Sequence, residues 1–337
     1  MSSENIRLVQ LLHPAEGRKI AIVNEPQLIL LLAIQSVYHL ALQALEKHVK
    51  LCDYIASLSQ GEELHYDEVY SGKSDWKILP AFDHPENAFA CLVSGTGLTH
   101  KSSAMNRQMM HHTETSQLTD SMKMYQWGVE GGRPAKDAIG TQPEWFYKGT
   151  GHILKAHAEA LEVPVYGNDG GEEAEIAGIY LIDKAGNPRR IGFCTGNEFS
   201  DHVMEKKNYL YLAPSKLRNC AIGPEIVLTP DIEALEGRVD ILRKDAVIWS
   251  KEIHSGEKNM AHSLANLEYH HFKYDIHRIP GQAHVHFFGA DAFSFGEQIA
   301  LQNGDLMRVQ WENMGRALQN PLVIAAEKEK LVKILTV

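Results

Sequence analysis

The spacing of apolar residues predicts a strand-rich chain that begins with a hairpin and a helix. Apolar residues fill positions 6–12 and 19–23, and the turn residues at 14–17 between them predict a hairpin. Over positions 34–58 the apolar residues recur at spacings of three, four and seven, which is typical of an amphipathic helix. Gly61 follows, so we expect this helix to end before it.

Beyond residue 88 the pattern changes to short apolar runs that are separated by turns. One helix is expected among them, over positions 259–274. No repeat and no alternation of strands with helices is visible, which argues against a doubly wound sheet or a TIM barrel. We therefore predict an α+β fold that is mostly β, with a small α+β domain at 1–85 and a second, larger domain at 86–337. The predicted strands cover 88–93, 174–182, 190–194, 222–228, 237–243, 245–249, 284–288 and 306–311.

Composition narrows the class of protein. The 337 residues are 44% hydrophobic and 23% charged, which is ordinary for a globular chain. The net charge of -10 argues against a nucleic-acid partner, because no general phosphate-neutralising surface is available. The longest apolar run is far shorter than the roughly 20 residues of a membrane span. The four scattered cysteines and the absence of a signal-peptide pattern predict reduced thiols in a cytoplasmic protein.

The strongest chemical feature is a cluster of acidic residues that opens a predicted strand. The i, i+2 spacing of Glu173 and Glu175 places both carboxylates on one face of that strand. Glu198 follows the next apolar run, and a hairpin return would bring it beside the pair. Like charges this close repel one another unless a cation lies between them. Three carboxylates suit Mg²⁺, Mn²⁺ or Ca²⁺, whereas a Glu-x-Glu pair alone is more often an exposed acidic rim.

Two lysines and a histidine pair extend the candidate chemistry. Lys148 and Lys216 each follow an aromatic run, and a lysine near a metal in a desolvated pocket can act as a base. His284 and His286 alternate along a predicted strand, so their imidazoles would face one side. They are a candidate metal pair, although a third ligand is missing nearby in sequence and a strand with one wet face is the more ordinary interpretation.

The order of these segments resembles the fumarylacetoacetate hydrolase superfamily over residues 90–322. The resemblance implies a mixed β-roll core, Mg²⁺ as the usual metal, commonly a homodimer, and Glu173, Glu175 and Glu198 as metal ligands. The chain departs from the family at Glu198, where aspartate is usual, so a longer side chain must retract or bind differently. The matching segments in chain order are 97–100, 143–148, 173–175, 196–198, 212–216, 222–224, 304–305 and 315–321.

Within the superfamily, the chain looks more similar to dehydratases of 2-keto-3-deoxy sugar acids than to hydrolases of acylpyruvates. The hydrolases carry a His and a Glu three and six residues after a tyrosine. Aligning that tyrosine with His100 puts Ser103 and Asn106 at those positions, so the water-activating dyad is replaced. Thr99, Ser103 and Arg107 are shared with the dehydratases instead.

The resemblance thus implies a divalent-metal-dependent lyase that removes water from a pentonate-like 2-oxo sugar acid through a metal-bound enolate. Lys216 is the expected base, or the group that orients it, and His100 the expected acid for the leaving hydroxyl. Two alternatives stay open, namely a C–C hydrolase that uses His284 or His286 with Glu257, and a non-catalytic sugar-acid-binding protein. The expected substrate contacts are Thr99, Ser103, Arg107 and Lys148.

Overall fold

The structure is a computed structural model that describes residues 5–110 and 118–337, without the side chains of residues 106, 107, 109 and 110. Over these residues the chain forms two β-sheets with flanking helices, so the prediction of a mostly β, α+β fold is confirmed. In the described part of the chain no helix has the length and apolar character needed to cross a bilayer.

The larger sheet has twelve strands drawn from most of the chain. They are β1 (Arg7–His13), β2 (Gly17–Asn24), β3 (Gln27–Leu31), β4 (Gln60–His65), β5 (Lys77–Ile78), β6 (Cys91–Gly95), β7 (Phe146–Thr150), β8 (Leu154–Lys155), β10 (Ala174–Ile182), β11 (Pro188–Asn197), β12 (Cys220–Val227) and β15 (Ala283–Phe287). The strand order is β4-β3-β2-β1-β12-β11-β10-β15-β6-β7, and β5 and β8 pair with β1 and β12. The site-bearing strands β10 and β11 therefore lie inside this sheet.

The smaller sheet covers one face of the larger one. Its strands are β9 (Leu161–Val163), β13 (Leu235–Arg243), β14 (Ala246–Ser255), β16 (Leu306–Trp311) and β17 (Leu318–Ile324), in the order β14-β13-β16-β17-β9. Buried residues of both sheets form one apolar cluster, in which Ile176 and Phe193 of the larger sheet join Val239 and Trp311 of the smaller. Burial of this apolar surface holds the two sheets together.

Helices cover the other faces and the connections. They are α1 (Val37–Glu46), α2 (Leu51–Ser57), α3 (Tyr66–Tyr70), α4 (Lys101–Met110), α5 (Asp120–Gly131), α6 (His202–Lys207), α7 (Leu212–Ser215) and α8 (Leu264–Phe272). The prediction of one helix over 34–58 is wrong, because α1 and α2 are separate. His48 adopts a left-handed backbone with φ of 56°, and this conformation ends the helical hydrogen bonding between them.

The predicted helix over 259–274 is confirmed in part. It begins only at Leu264, because the Ser263 hydroxyl accepts a hydrogen bond from the Asn266 N–H and caps the helix there. The predicted strand over 88–93 starts later, at Cys91, after a short 3₁₀ turn. The other predicted strands coincide with β10, β11, β12, β13, β14, β15 and β16, apart from shifts at their ends.

The first strands of the chain are continuous with the larger sheet. β1 pairs antiparallel with β12, at Arg7 opposite Val227 and Leu8 opposite Ile226. Buried Glu225 on β12 strengthens this junction. It accepts hydrogen bonds from the Tyr66 hydroxyl at 2.9 Å and the Arg316 N–H at 3.0 Å, and it lies 3.0 Å from the Arg7 guanidinium. A domain boundary at residue 85 stays a prediction.

We expect Glu225→Ala to lower the free energy of unfolding by about 3 kcal/mol, because it leaves a largely buried Arg7 and the Tyr66 hydroxyl without their acceptor. Urea denaturation measures this change. Glu25→Ala is the matched control, since Glu25 pairs with Arg316 at the surface and its loss should cost less than about 1 kcal/mol. Equal losses for the two variants would contradict the role of Glu225 at the junction.

Candidate metal centre

The β10–β11 hairpin brings three carboxylates together at its open end. Glu175 lies opposite Gly196 in the ladder, and one residue beyond the strands the Glu198 N–H donates to the Glu173 carbonyl at 2.9 Å. In the described part of the chain, Glu173, Glu175 and Glu198 are the one set of three His, Cys, Asp or Glu side chains whose ligand atoms all lie within 4.8 Å of one another. All three are buried, with 7%, 1% and 0% exposure.

Lys216 occupies the centre of this cluster. It follows α7, and its Nζ donates to Glu173 Oε1 at 2.8 Å, to Glu198 Oε2 at 2.6 Å and to the Ser200 hydroxyl at 2.9 Å. Its ammonium also lies 4.7 Å from the centre of the Phe146 ring. The predicted proximity of Lys216 to the carboxylates is therefore present, and in this arrangement the lysine is a proton-bearing cation that holds two of them.

Lys148 lies on β7 and contacts Glu198 at the carboxylate oxygen opposite the one that Lys216 contacts. Its Nζ is 2.6 Å from Glu198 Oε1 and donates to the carbonyls of Phe199 at 2.7 Å and Lys216 at 3.1 Å. A lysine ammonium has three hydrogens, and these three acceptors use them all. Lys148 thus positions Glu198, whereas the sequence had suggested a contact with the substrate.

His202 and Ser200 complete the cluster, and neither was predicted. His202 Nε2 lies 3.0 Å from Glu173 Oε1, and its ring stacks on Phe293 with centroids 4.9 Å apart. The Ser200 hydroxyl links Glu198 to Lys216. Both residues come shortly after Glu198, in a segment that has no periodic pattern of apolar residues. Their closeness in sequence to Glu198 is the signal that could have suggested them.

Charge and burial act differently on the three carboxyl groups. Burial raises the pKa of Glu173, but the nearby Lys216 and His202 outweigh it and bring that pKa well below the ordinary range. Burial, with the charges of Glu198 and Glu173, raises the pKa of Glu175 well above its ordinary value. Burial and Glu173 raise the pKa of Glu198 to about 7, although both lysines oppose the shift. The negative charge of the cluster is thus only partly compensated.

The predicted polar loop, residues 97–100, is linked to the carboxylates by hydrogen bonds of residues 288 and 289. The Thr99 hydroxyl donates to the Phe288 carbonyl at 2.6 Å, and the next residue, Gly289, donates its N–H to Glu175 Oε2 at 2.7 Å. Gly289 has φ of +94°, and a Cβ there would lie 2.1 Å from the Thr99 hydroxyl, so only glycine fits. Ser103 is buried and donates to the His100 carbonyl at 3.0 Å.

Hydrogen bonding determines which nitrogen of His100 carries the proton. Because Thr99 Oγ1 donates its hydrogen to a carbonyl, it can only accept from His100 Nδ1, 2.9 Å away. Burial lowers the pKa of His100 to about 4, so the ring is neutral. Its Nε2 is therefore an unprotonated acceptor, and it is buried with no hydrogen-bond partner among the residues that the structure describes. The side chain of Arg107, the other predicted contact in this loop, lies outside the described residues.

The second histidine pair lies in a different cluster. His286 is hydrogen-bonded through both ring nitrogens, to Ser94 Oγ at 2.8 Å and Thr96 Oγ1 at 2.9 Å. His284 Nδ1 lies 3.0 Å from His271 Nε2. Burial lowers the pKa of His284 and of His286 to about 3, so both rings are neutral. These contacts describe a packed group of neutral imidazoles.

The chemistry of the carboxylate cluster fits a hard divalent cation. Three buried carboxylates at the open end of one hairpin are oxygen ligands of the kind that Mg²⁺ and Ca²⁺ prefer. Burial and the charges of Glu198 and Glu173 raise the pKa of Glu175, and a nearby cation would favour its ionised form. The residues present thus suit a divalent metal, which Glu173, Glu175 and Glu198 would hold.

Comparison with known proteins supports the fold. No family model matches the sequence, and no curated protein matches it significantly. The chain is similar to a structure of 2-keto-3-deoxyarabinonate dehydratase, with a TM-score of 0.72, 19% identity, and coverage of 95% of this chain and 100% of the other. It is also similar to 2-keto-3-deoxy-D-arabinonate dehydratase in complex with magnesium and 2,5-dioxopentanoate, with a TM-score of 0.70, 19% identity and the same coverage.

A third similar structure belongs to an enzyme that catalyses a different reaction from the two dehydratases. It is 2-hydroxyhepta-2,4-diene-1,7-dioate isomerase from Mycobacterium marinum, with a TM-score of 0.58, 16% identity, and coverage of 96% of this chain and 100% of the other. At these identities the likeness shows the fold. The prediction of a fumarylacetoacetate hydrolase-like fold is therefore confirmed, and it is the fold of the dehydratases that the sequence resembles.

We expect divalent metal binding to tighten as the pH rises toward about 7. Burial raises the pKa of Glu198 to about 7 and raises that of Glu175 well above its ordinary value, so both carboxyl groups hold their protons more tightly and a metal must displace them. The affinity for Mn²⁺ should rise about tenfold per pH unit for each proton displaced. Calorimetric titration from pH 5 to 8 measures this slope, Glu198→Gln should make it shallower, and a pH-independent affinity would contradict the prediction.

We expect Lys148→Met to weaken Mn²⁺ binding about 10- to 100-fold, because Glu198 loses the cation that orients one of its oxygens. Electron paramagnetic resonance of free Mn²⁺ gives the affinity directly. Lys155→Met, on the neighbouring strand β8, is the matched control and should leave the affinity unchanged. If Lys148→Met instead binds Mn²⁺ normally, the lysine does not position Glu198.

Proposed function

We propose that this protein is an Mg²⁺-dependent dehydratase of a 2-keto-3-deoxy sugar acid. The observation that carries the proposal is the buried set of three carboxylates with Lys216 between two of them. The similar dehydratase that contains magnesium and 2,5-dioxopentanoate supports the choice of metal and substrate class. We also expect a homodimer, as the resemblance to the superfamily implies.

The proposed chemistry starts from a 2-oxo acid whose carboxylate and ketone face the three glutamates. Mg²⁺ would polarise the ketone and make the C3 proton more acidic. Lys216 Nζ and His100 Nε2 are the two candidates that we consider for taking that proton. Lys216 bears a proton while it donates to Glu173 and Glu198, so it must first release that proton.

His100 Nε2 has the lone pair that a base needs, since Thr99 keeps the proton on Nδ1. This arrangement favours His100 as an acceptor of a substrate proton or hydroxyl over the predicted role of acid. Because the ring is buried and its pKa is about 4, it stays neutral at physiological pH. A proton taken from C3 can then be returned to the C4 hydroxyl as that group leaves as water.

The alternative C–C hydrolase needs a carboxylate beside His284 or His286 to activate water. Glu257 accepts from the Leu264 N–H at 3.0 Å, at the start of α8, and faces Arg133 at 3.8 Å. His286 bonds Ser94 and Thr96. These contacts direct Glu257 and His286 to other partners, so the geometry favours dehydration.

The experiment is turnover of a mixture of 2-keto-3-deoxypentonates with and without Mg²⁺, followed by mass spectrometry. We expect a product lighter by one water that EDTA abolishes and Mg²⁺ restores. Glu175→Gln should remove turnover, because it deprives the metal of one charged ligand. Glu172→Gln is the control, since Glu172 is equally buried but accepts from Ser294 instead of facing the other two ligands.

The other reactions give different masses. If acylpyruvates are supplied instead, a gain of one water with cleavage of a C–C bond would indicate the hydrolase. A product of unchanged mass with a shifted ultraviolet spectrum would indicate an isomerase. Ligand-induced thermal stabilisation without any product would indicate a binding protein. Each of these outcomes would contradict the dehydratase proposal.

A further inference from the structure

The last residues of the chain form an exposed apolar arm. Residues 326–337 follow β17 without regular structure and are exposed throughout. The side chains of Leu331, Val332, Ile334 and Leu335 are between 81% and 90% exposed, and Val337 is fully exposed. So dense a group of exposed aliphatic side chains is typical of a segment that contacts another molecule.

A cavity with apolar and polar lining residues lies where this arm leaves the body of the protein; Asp169 and Lys206 are among the polar ones. Its volume is about 780 Å³, and Ile324 and Ala325, the last residues before the arm, are part of its rim. The Ala325 N–H is held by the Val163 carbonyl at 3.0 Å, which anchors the base of the arm. The apolar lining of the cavity is formed by Val163, Val165, Ile299, Leu301, Leu322 and Ile324.

The arm does not return to the cavity of its own chain. In the structure its aliphatic side chains at 331, 332, 334 and 335 are between 81% and 90% exposed, so they are not packed into that cavity. The arm therefore points its apolar residues away from its own body.

We propose that the arm of one copy packs into this cavity of a second copy, in a reciprocal exchange. The arm and the cavity share a rim, so a twofold axis beside that rim would place each arm over the partner's cavity. Twelve residues span at most about 40 Å when extended, which is ample for this crossing. The inference rests on the proposed homodimer and adds the segment that closes it.

The first test is a disulfide between two different chains. One chain carries Ile334→Cys in the arm and a size tag, and the other carries Ile299→Cys in the cavity. Both carry Cys52→Ser, because the remaining cysteines are buried. Mixed disulfide should form at least about tenfold more than with Val247→Cys, an exposed position on β14 outside the cavity.

The second test measures assembly by sedimentation. Leu331→Ser, Ile334→Ser and Leu335→Ser together should weaken the dimer at least about tenfold, since they remove the apolar anchors. Lys328→Ser, Lys330→Ser and Lys333→Ser together are the matched control and should leave it intact. All six side chains lie on the exposed arm, so folding of the body is not at risk.

Several results would overturn the exchange. As a comparison, a single chain can carry both Ile334→Cys and Ile299→Cys. If the disulfide forms within that chain and does not form between two separate chains, the arm packs on its own body. A dimer that forms without the mixed disulfide, and that the serine variant leaves unchanged, would refute the arm and leave the homodimer standing. A protein that sediments as a monomer would contradict both the arm exchange and the homodimer. The dehydratase assay tests the activity separately.

Discussion

Burial of three carboxyl groups at one hairpin end is the constraint on which the site depends. When ionised, Glu173, Glu175 and Glu198 repel one another in a medium where water cannot screen them. Lys148 and Lys216 compensate part of this charge, and both lysines are themselves buried because the carboxylates surround them. A divalent cation would complete the balance, so metal binding and local stability are two aspects of the same electrostatic requirement.

The fold meets this requirement by bringing distant segments to one place. The antiparallel register of β10 and β11 determines the spacing of the carboxylates, and β7 and α7 supply the lysines from 68 residues apart in sequence. The segment after β15 supplies the Gly289 N–H for Glu175 and the carbonyl for Thr99. The sheet thus acts as a rigid frame on which each charged group has a defined partner.

The sequence predicted those parts of the site that follow from local periodicity. Glu173 and Glu175 share a face because strand residues alternate, and a hairpin return could bring Glu198 beside them. The orienting role of Lys148 depends on contacts between β7 and the Glu198 segment, which no local pattern specifies. Helices α4 and α5 were missed because their sequences are largely polar, so tertiary contacts and capping, such as that by Thr119, determine them.

Glu198 stands where the superfamily that the sequence resembles usually has aspartate, so its side chain is longer by one methylene group. The backbone of Glu198 stays in the hairpin, because its N–H continues the ladder to the Glu173 carbonyl. The longer side chain reaches between two lysines, and each of its oxygens lies 2.6 Å from one of them. Glu175, in contrast, accepts from the neutral Gly289 N–H. Burial and the neighbouring carboxylates raise the pKa of Glu175, and a cation held by the three glutamates would favour its ionised form.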